Sequence, residues 1–540
     1  MRVMLVYVSP QTSCGKFKKR IVPSECMMLA AFLKNKHDVQ VAFLSDLSLK
    51  SSVKHVKEIN PDIVYFQIYS ENRSGALKTI RELRKECRAY IAAGGPFITF
   101  LSAETAERYQ EIDFLIRGEP ELTLHDICGQ LSRKKTPERI HHSNPMLKLN
   151  ALPLVSESDI DTMNIDKNEQ YKYLLTSRGS DHEPILSSYP AYAGRVIRFR
   201  SARKLVADIV NFKKKYGIIY FYIRDDNFLK DKDYVTTFCN ELLRRKVYIL
   251  WTCYTDVYSL DEKLLVLMKK AGLHRIRLDL VSGSQRILNL YAPGVKIDQI
   301  KKAADSIRKV GIYLSVRSFT GLPEEAEADM ERTLAFLKRI LPFKCNVVRA
   351  HYIPGTTLYD EAVMNGKLLP SIWFKSSNPL IFCNEDPVVE DWKHEISFGV
   401  EILRQQSWFN SKNFVTHRRV NGKDSWVTDF IEGDYYLNTN QTAQADRVFR
   451  RIITVHPENC WGYLRMGKVK FRSGHFESAF DYYRTVTDLV PEYYGGWLKA
   501  AQSLVADGRF KEAKKWIEEA YRRNRYDLRI HNVRDVLRHH

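Results

Sequence analysis

Along the first 131 positions the spacing of apolar residues switches back and forth between two periods. Segments 3–7, 39–44, 62–68, 88–93 and 113–116 are short, apolar and rich in β-branched or aromatic residues, which predicts strands buried on both faces. Between them, 24–34, 51–59, 76–86, 104–110 and 121–131 carry apolar residues three and four apart, which predicts helices. Strand and helix in turn imply a parallel α/β sheet with helices on both faces. Ligands in such sheets bind beyond the strands' carboxyl ends. The candidate contacts there are 9–13, Ser70 to Asn72, Gly94, Gly95 and Pro96, and Gly118 to Glu121, with Gly118 and Glu119 foremost.

Residues 132–170 are polar and basic without a period and are read as a linker; the adjacent His141 and His142 have no third ligand at a credible spacing. Alternation resumes over 171–365, with strands expected at 173–175, 218–223, 247–254, 275–280, 313–319 and 346–350. Residues 366–425 are aromatic-rich, with helical spacing over 395–405, and are read as a helical linker region. From Trp426 the period becomes 34. Small residues recur at its eighth position (Gly433, Gly467, Ala501) and twentieth (Ala445, Ala479, Ala513), and bulky ones at the twenty-fourth (Phe449, Tyr483, Ile517). This spacing predicts tetratricopeptide repeats over 426–540, an all-α superhelix suited to a protein partner.

The chain has 540 residues and a net charge of +20, with its basic residues spread along it. No nucleic-acid-binding signature accompanies them, so no specific nucleic acid is expected. No apolar run reaches the length of a membrane span. The nine cysteines include no CxxC pair, which argues for reduced thiols and a cytoplasmic setting.

The stretch 171–203 carries the chemistry. A strand enters the turn Thr176-Ser177-Arg178-Gly179, and a loop follows. This resembles the opening strand and cluster loop of radical S-adenosylmethionine (radical SAM) enzymes that carry a cobalamin-binding domain in front. Residues 94–96 and 117–123 look like the strand ends of that flavodoxin-like or Rossmann domain, and 171–365 like the partial TIM barrel. The DxHxxG motif of other cobalamin proteins is absent. The resemblance implies a CxxxCxxC motif after the turn, whose thiolates hold a four-iron four-sulfur cluster. Here those positions are Ser180, Pro184 and Ser187. Val281 stands where the family has a glutamate that contacts S-adenosylmethionine, and Pro293 where it has a lysine. Asp225 and Asp226 match the family's DDxF at a strand end facing the site. They are candidate substrate contacts, or else turn and cap residues.

Turn and packing positions survive (Gly179, Gly283, Gly321, Pro323, Pro354, Gly355), whereas those serving cluster and S-adenosylmethionine do not. The expectation is therefore a non-catalytic scaffold that binds a corrinoid or a protein partner, with cobalamin possible and cluster and S-adenosylmethionine unlikely. The alternative is a cobalamin-dependent methyltransferase-type enzyme working without a cluster, or with one relocated onto thiols such as Cys253 and Cys345.

Overall fold

The structure, a computed structural model, describes residues 1–9, 22–44, 49–143, 145–152, 166–375, 378, 380–405, 411–422 and 425–540. The candidate contacts 10–13, Cys14 and Pro153 lie outside the described residues.

The first sheet contains β1 (Arg2–Val8), β2 (Asp38–Leu44), β3 (Ile63–Gln67), β4 (Tyr90–Gly94), β5 (Phe114–Arg117) and β6 (Ile140–His142). All six are parallel, in the order β2-β1-β3-β4-β5-β6. The apolar run of β1 serves two cores. Val3, Leu5 and Tyr7 pack with the helix Ser24–Lys34, whereas Met4 and Val6 point to the opposite core with Val53, Val56 and Ile80. β6 corrects the expected boundary at residue 131. Leu115 pairs with Ile140, so His141 and His142 are strand residues of the first domain rather than a solvated linker. A three-residue strand is too short to show a period of two.

The second sheet contains β7 (Tyr173–Leu174), β10 (Tyr220–Ile223), β11 (Leu250–Thr255), β12 (Leu273–Val281), β13 (Tyr313–Thr320) and β14 (Lys344–Arg349). It is parallel, in the order β14-β13-β12-β11-β10-β7, an open barrel of six strands. Between β7 and β10, β8 (Ser177–Arg178) and β9 (Arg198–Phe199) pair antiparallel. The region 366–425 is not free-standing. Trp373 is buried in the first domain's core, and Arg73 donates to its carbonyl oxygen at 2.8 Å.

Residues 426–540 form seven helices, beginning with Trp426–Asn438 and Thr442–Val455 and ending with Leu528–Arg538. The first helices of the three pairs begin at Trp426, Cys460 and Tyr494, and the last helix at Leu528, each 34 residues on. Side-chain size explains the period. A Cβ on Gly433 would strike the Phe449 ring and one on Gly467 the Tyr483 ring, whereas Ala501 stands opposite the smaller Ile517. The array packs on the amino-terminal end of the barrel, where Tyr220, Tyr248 and Tyr313 join its core. Among the described residues no helix is long and apolar enough to cross a membrane.

One buried cation ties two helices of the barrel together. Lys269 is fully buried, and its Nζ donates to the carbonyls of Val310 (2.7 Å) and Gly311 (2.9 Å), closing the end of the helix Ile297–Val310. Burial pushes its ammonium down to about 7 from an ordinary 10.5. The folded value lies below the unfolded one, so the folded chain binds fewer protons between them. Stability attributable to this group therefore rises from pH 7 towards 10.5 and is lost as pH falls through 7. Thermal melts at pH 7 and pH 9.5 should show the wild type gaining on Lys269→Met at the higher pH; parallel behaviour would refute this.

Candidate functional site

The two carboxylates after β10 part company, because successive strand residues point to opposite sides. Asp225 is 1% exposed and accepts hydrogen bonds from the amides of Thr176 (2.6 Å) and Ser177 (3.2 Å) and from the Thr176 hydroxyl. Burial raises its carboxyl to about 6, and these donors hold that rise in check. Asp225 thus pins the turn that opens the loop, which corrects its reading as a substrate contact. Asp226 points the other way, into a cavity, and accepts the Ser180 hydroxyl.

That cavity, of about 540 Å³, lies at the carboxyl ends of the barrel strands. Such ends carry the ligand sites of β/α barrels. The first domain contributes Pro96 to its wall; the loop contributes Ser187, Tyr189 and Tyr192; and the strand ends contribute Asp226, Asp256, Asp279, Val281 and Arg317. Asp256 is fixed by the amides of Tyr258 (2.9 Å) and Ser259 (2.7 Å) and by Asn227 Nδ2 (2.6 Å). Asp279 is paired with Arg317, whose Nε donates to Oδ1 at 2.9 Å. Val281 is buried with φ +59°, a left-handed backbone that is strained for a β-branched residue.

Several candidates at the first domain's strand ends serve the protein itself. A Cβ on Gly94 would meet the Tyr65 hydroxyl, and one on Gly95 (φ +100°) would lie 2.5 Å from the Ile68 carbonyl oxygen. Gly118 (φ +83°) donates its amide to Thr99 Oγ1 at 2.9 Å, and the Ser70 carbonyl accepts from Arg73. These four were expected to meet a cofactor; close approach of the chain to itself accounts for each.

Glu119 is corrected in the same way. Its carboxylate takes a two-pronged hydrogen bond from Arg198 (2.7 and 3.0 Å) and lies 3.4 Å from Arg178, whose other nitrogen donates to Glu121 at 2.6 Å. All four side chains are at most 6% exposed. The Arg-Gly-Glu-Pro-Glu stretch after β5 and the Thr-Ser-Arg-Gly turn after β7, singled out separately in the sequence, are two halves of one buried ion network that joins the domains.

The loop's donor set does not fit an iron–sulfur cluster. Ser180 is 1% exposed, with its amide donated to Gly194 and its hydroxyl to Asp226. Pro184 has no ligating side-chain atom, and Ser187 offers only a hydroxyl. Among the described residues no group of three His, Cys, Asp or Glu side chains could hold a metal. Cys253 is buried, its thiol driven up by desolvation, and Cys345 is the second residue of β14, away from the mouth.

The B12 binding domain model matches residues 12–127, and the Radical SAM superfamily model residues 182–337. The uncharacterized methyltransferase PH0819 of Pyrococcus horikoshii is 25% identical over 435 residues, 76% of this chain and 93% of that protein. The anaerobic magnesium-protoporphyrin IX monomethyl ester cyclase of Rubrivivax gelatinosus is 24% identical, over 67% of this chain and 70% of its own. Among solved structures, the radical S-adenosylmethionine methyltransferase TsrM of Kitasatospora setae, with cobalamin and a 4Fe-4S cluster bound, superposes with TM-score 0.59 at 14% identity, over 74% of this chain and 88% of its own. OxsB, a cobalamin-dependent S-adenosylmethionine radical enzyme solved with aqua-cobalamin and S-adenosylmethionine, gives TM-score 0.50 at 15% identity, covering 96% and 84%.

These relatives correct the expectation of a non-catalytic scaffold from which cluster and S-adenosylmethionine are excluded. They are enzymes, and the solved ones hold cobalamin together with a 4Fe-4S cluster or S-adenosylmethionine. Ser180, Pro184, Ser187 and Val281 describe what four side chains cannot ligate; they do not decide whether the whole chain is an enzyme. The chain carries a B12-binding domain followed by a radical SAM superfamily domain, an order of domains whose fold it shares with TsrM and OxsB.

Proposed function

We propose that this chain is a cobalamin-dependent methyltransferase-type enzyme whose acceptor enters the cavity between the domains. The observation that supports this most is the cavity's position: Pro96 from a strand end of one domain and Asp226, Asp256 and Arg317 from strand ends of the other line a single space. Pro96, Tyr189 and Tyr192 present flat apolar faces there, suited to the rim of a corrin ring. When bound, cobalamin supplies methyl-group carriage. Asp226, held by Ser180, is placed to accept a hydrogen bond from the acceptor, and the tyrosines exclude water.

The test is anaerobic purification of the full chain with hydroxocobalamin, followed by cobalt analysis and incubation with methyl-labelled S-adenosylmethionine. About one cobalt per chain and label passed to a small-molecule acceptor are expected; a chain that retains no cobalt refutes the reading. Asp226→Asn should lower kcat/KM for the acceptor by roughly 10- to 100-fold, the worth of one charged hydrogen bond, with cobalt retention unchanged. An unaltered kcat/KM would remove Asp226 from the site.

The 34-residue step of the helix pairs supports reading 426–540 as tetratricopeptide repeats. One side of the array is occupied by the barrel, leaving the outer side for a protein partner. The scattered thiols, unpaired among the described residues, support a cytoplasmic setting.

A further inference from the structure

The inner face of a closed β/α barrel is a packed core of branched apolar side chains. Here it is not. Along β12, Ile276, Leu278 and Leu280 are fully buried beneath the outer helices, so the alternate residues Arg275, Arg277 and Asp279 face inward. Strand register arranges the inward residues in layers. Arg275 lies between Thr252 and Tyr313, Arg277 lies between Tyr254 and Ser315, and Asp279 lies beside Arg317. Lys344 continues the middle layer beside Ser315.

The upper layer is an ion pair, whereas among the described residues the arginines of the two layers below it have no carboxylate partner. Asp279 is paired with Arg317, and that pair forms part of the wall of the cavity described above. Below it Arg277 lies 4.6 Å from the centre of the Tyr254 ring and donates to that residue's hydroxyl, as Arg224 does at 3.2 Å. Arg275 lies against the Phe343 ring at 5.3 Å, and its Nε is buried without a hydrogen-bond partner. A guanidinium is always charged, and a half-buried one without an acceptor keeps a desolvation cost that an anion removes. The mouth above has the opposite sign, with Asp226 and Asp256. Below, the helical array packs against Tyr220 and Tyr313. Arg275 and Arg277 are only half-buried and Arg224 is exposed, so solvent reaches the barrel's interior beneath the acidic cavity.

We propose that the acceptor carries an anionic group, phosphate or carboxylate, that seats among Arg275, Arg277 and Arg224, leaving its other end at the cavity mouth. Planar guanidinium forks suit either oxyanion. This rests on the proposed acceptor site but is tested apart from it.

Calorimetric titration of the full chain with inorganic pyrophosphate and, separately, with succinate should show saturable binding of at least one. Stronger pyrophosphate binding points to a phosphate-bearing acceptor, and stronger succinate binding to a carboxylate. The double variant Arg275→Gln/Arg277→Gln should weaken that binding at least about tenfold, since charged hydrogen bonds are lost, whereas Arg245→Gln, on the outer surface, should leave it unchanged. Arg275→Lys/Arg277→Lys keeps the charge and should lose less than the glutamine pair. The proposal is overturned if neither anion binds, if the glutamine pair binds as tightly as wild type, or if the lysine and glutamine pairs lose equally. Cobalt retention measured on the same preparations separates the two readings. Anion binding without cobalt retention would refute the cobalamin reading alone, and cobalt retention without anion binding would refute this one alone.

Discussion

Glu119→Ala should lower stability by ~3–5 kcal/mol, the cost of leaving a buried charge without its partner. The carboxylate is the point where Arg198 and Arg178 converge, and neither guanidinium has water to fall back on. Met146 also donates its amide to Glu119, so the segment after β6 loosens with it. The change should appear as a lower denaturation midpoint and as faster proteolytic cleavage between the first domain and the barrel. Glu119→Ala/Arg198→Met should recover part of the loss, because the stranded guanidinium is gone and the space is filled. A single variant as stable as wild type, or a double variant worse than the single, would show that the network does not hold the domains together. The carboxylate that joins the domains also shapes the mouth, since the Ala193 carbonyl beside Tyr192 accepts from the same Arg198 at 2.7 Å.

Gly217→Ala should undock the helical array. Gly217 ends the helix Ala202–Tyr216 in the left-handed conformation, φ +64°, with its amide on the Lys213 carbonyl. An alanine there carries the usual left-handed penalty of about 1–2 kcal/mol. A Cβ would also fall on the backbone of Glu492 and Tyr493, in the turn between two helices of the array. Backbone cannot swing aside as a side chain can, so overpacking adds about 1–3 kcal/mol. Gly508→Ala separates the two costs: it ends a helix with φ +76° but has open space around its Cβ, so it should carry the backbone penalty alone. Thermal melts of the two variants, with proteolytic release of 426–540 as the second readout, should rank Gly217→Ala well below Gly508→Ala. Equal melts would mean that the array can shift at no cost.

The order of elements was legible because helix and strand periods are local. The first five strands, the barrel strands and the 34-residue step all stand where apolar spacing puts them, to within a few residues. β6 escaped because three residues carry no period, and the pair of histidines drew attention to metal chemistry instead of to the sheet. The cofactor candidates fared worse for a different reason. Gly94, Gly95, Gly118 and Ser70 were noticed because glycine and serine suit ligand approach, but the same residues suit Tyr65, Ile68, Thr99 and Arg73. The basic inner face was missed although its signal was present. In 275–280 arginine and aspartate alternate with isoleucine and leucine, a strand with one polar face, whereas a strand covered on both sides reads as continuously apolar.

By itself the sequence determined the series of elements, the two domain kinds it resembles, the repeat, and the lack of thiols at 180, 184 and 187, since each of these depends on residue type and spacing along the chain. Only the tertiary structure decided that Asp225 holds a turn while Asp226 faces the cavity, that Glu119 belongs to an arginine network, and that Arg275 and Arg277 turn towards the barrel's interior. Those facts depend on which distant segments meet, and burial then fixes what each charge can do: a carboxylate or guanidinium removed from water is committed to the partner the fold provides, or left seeking one.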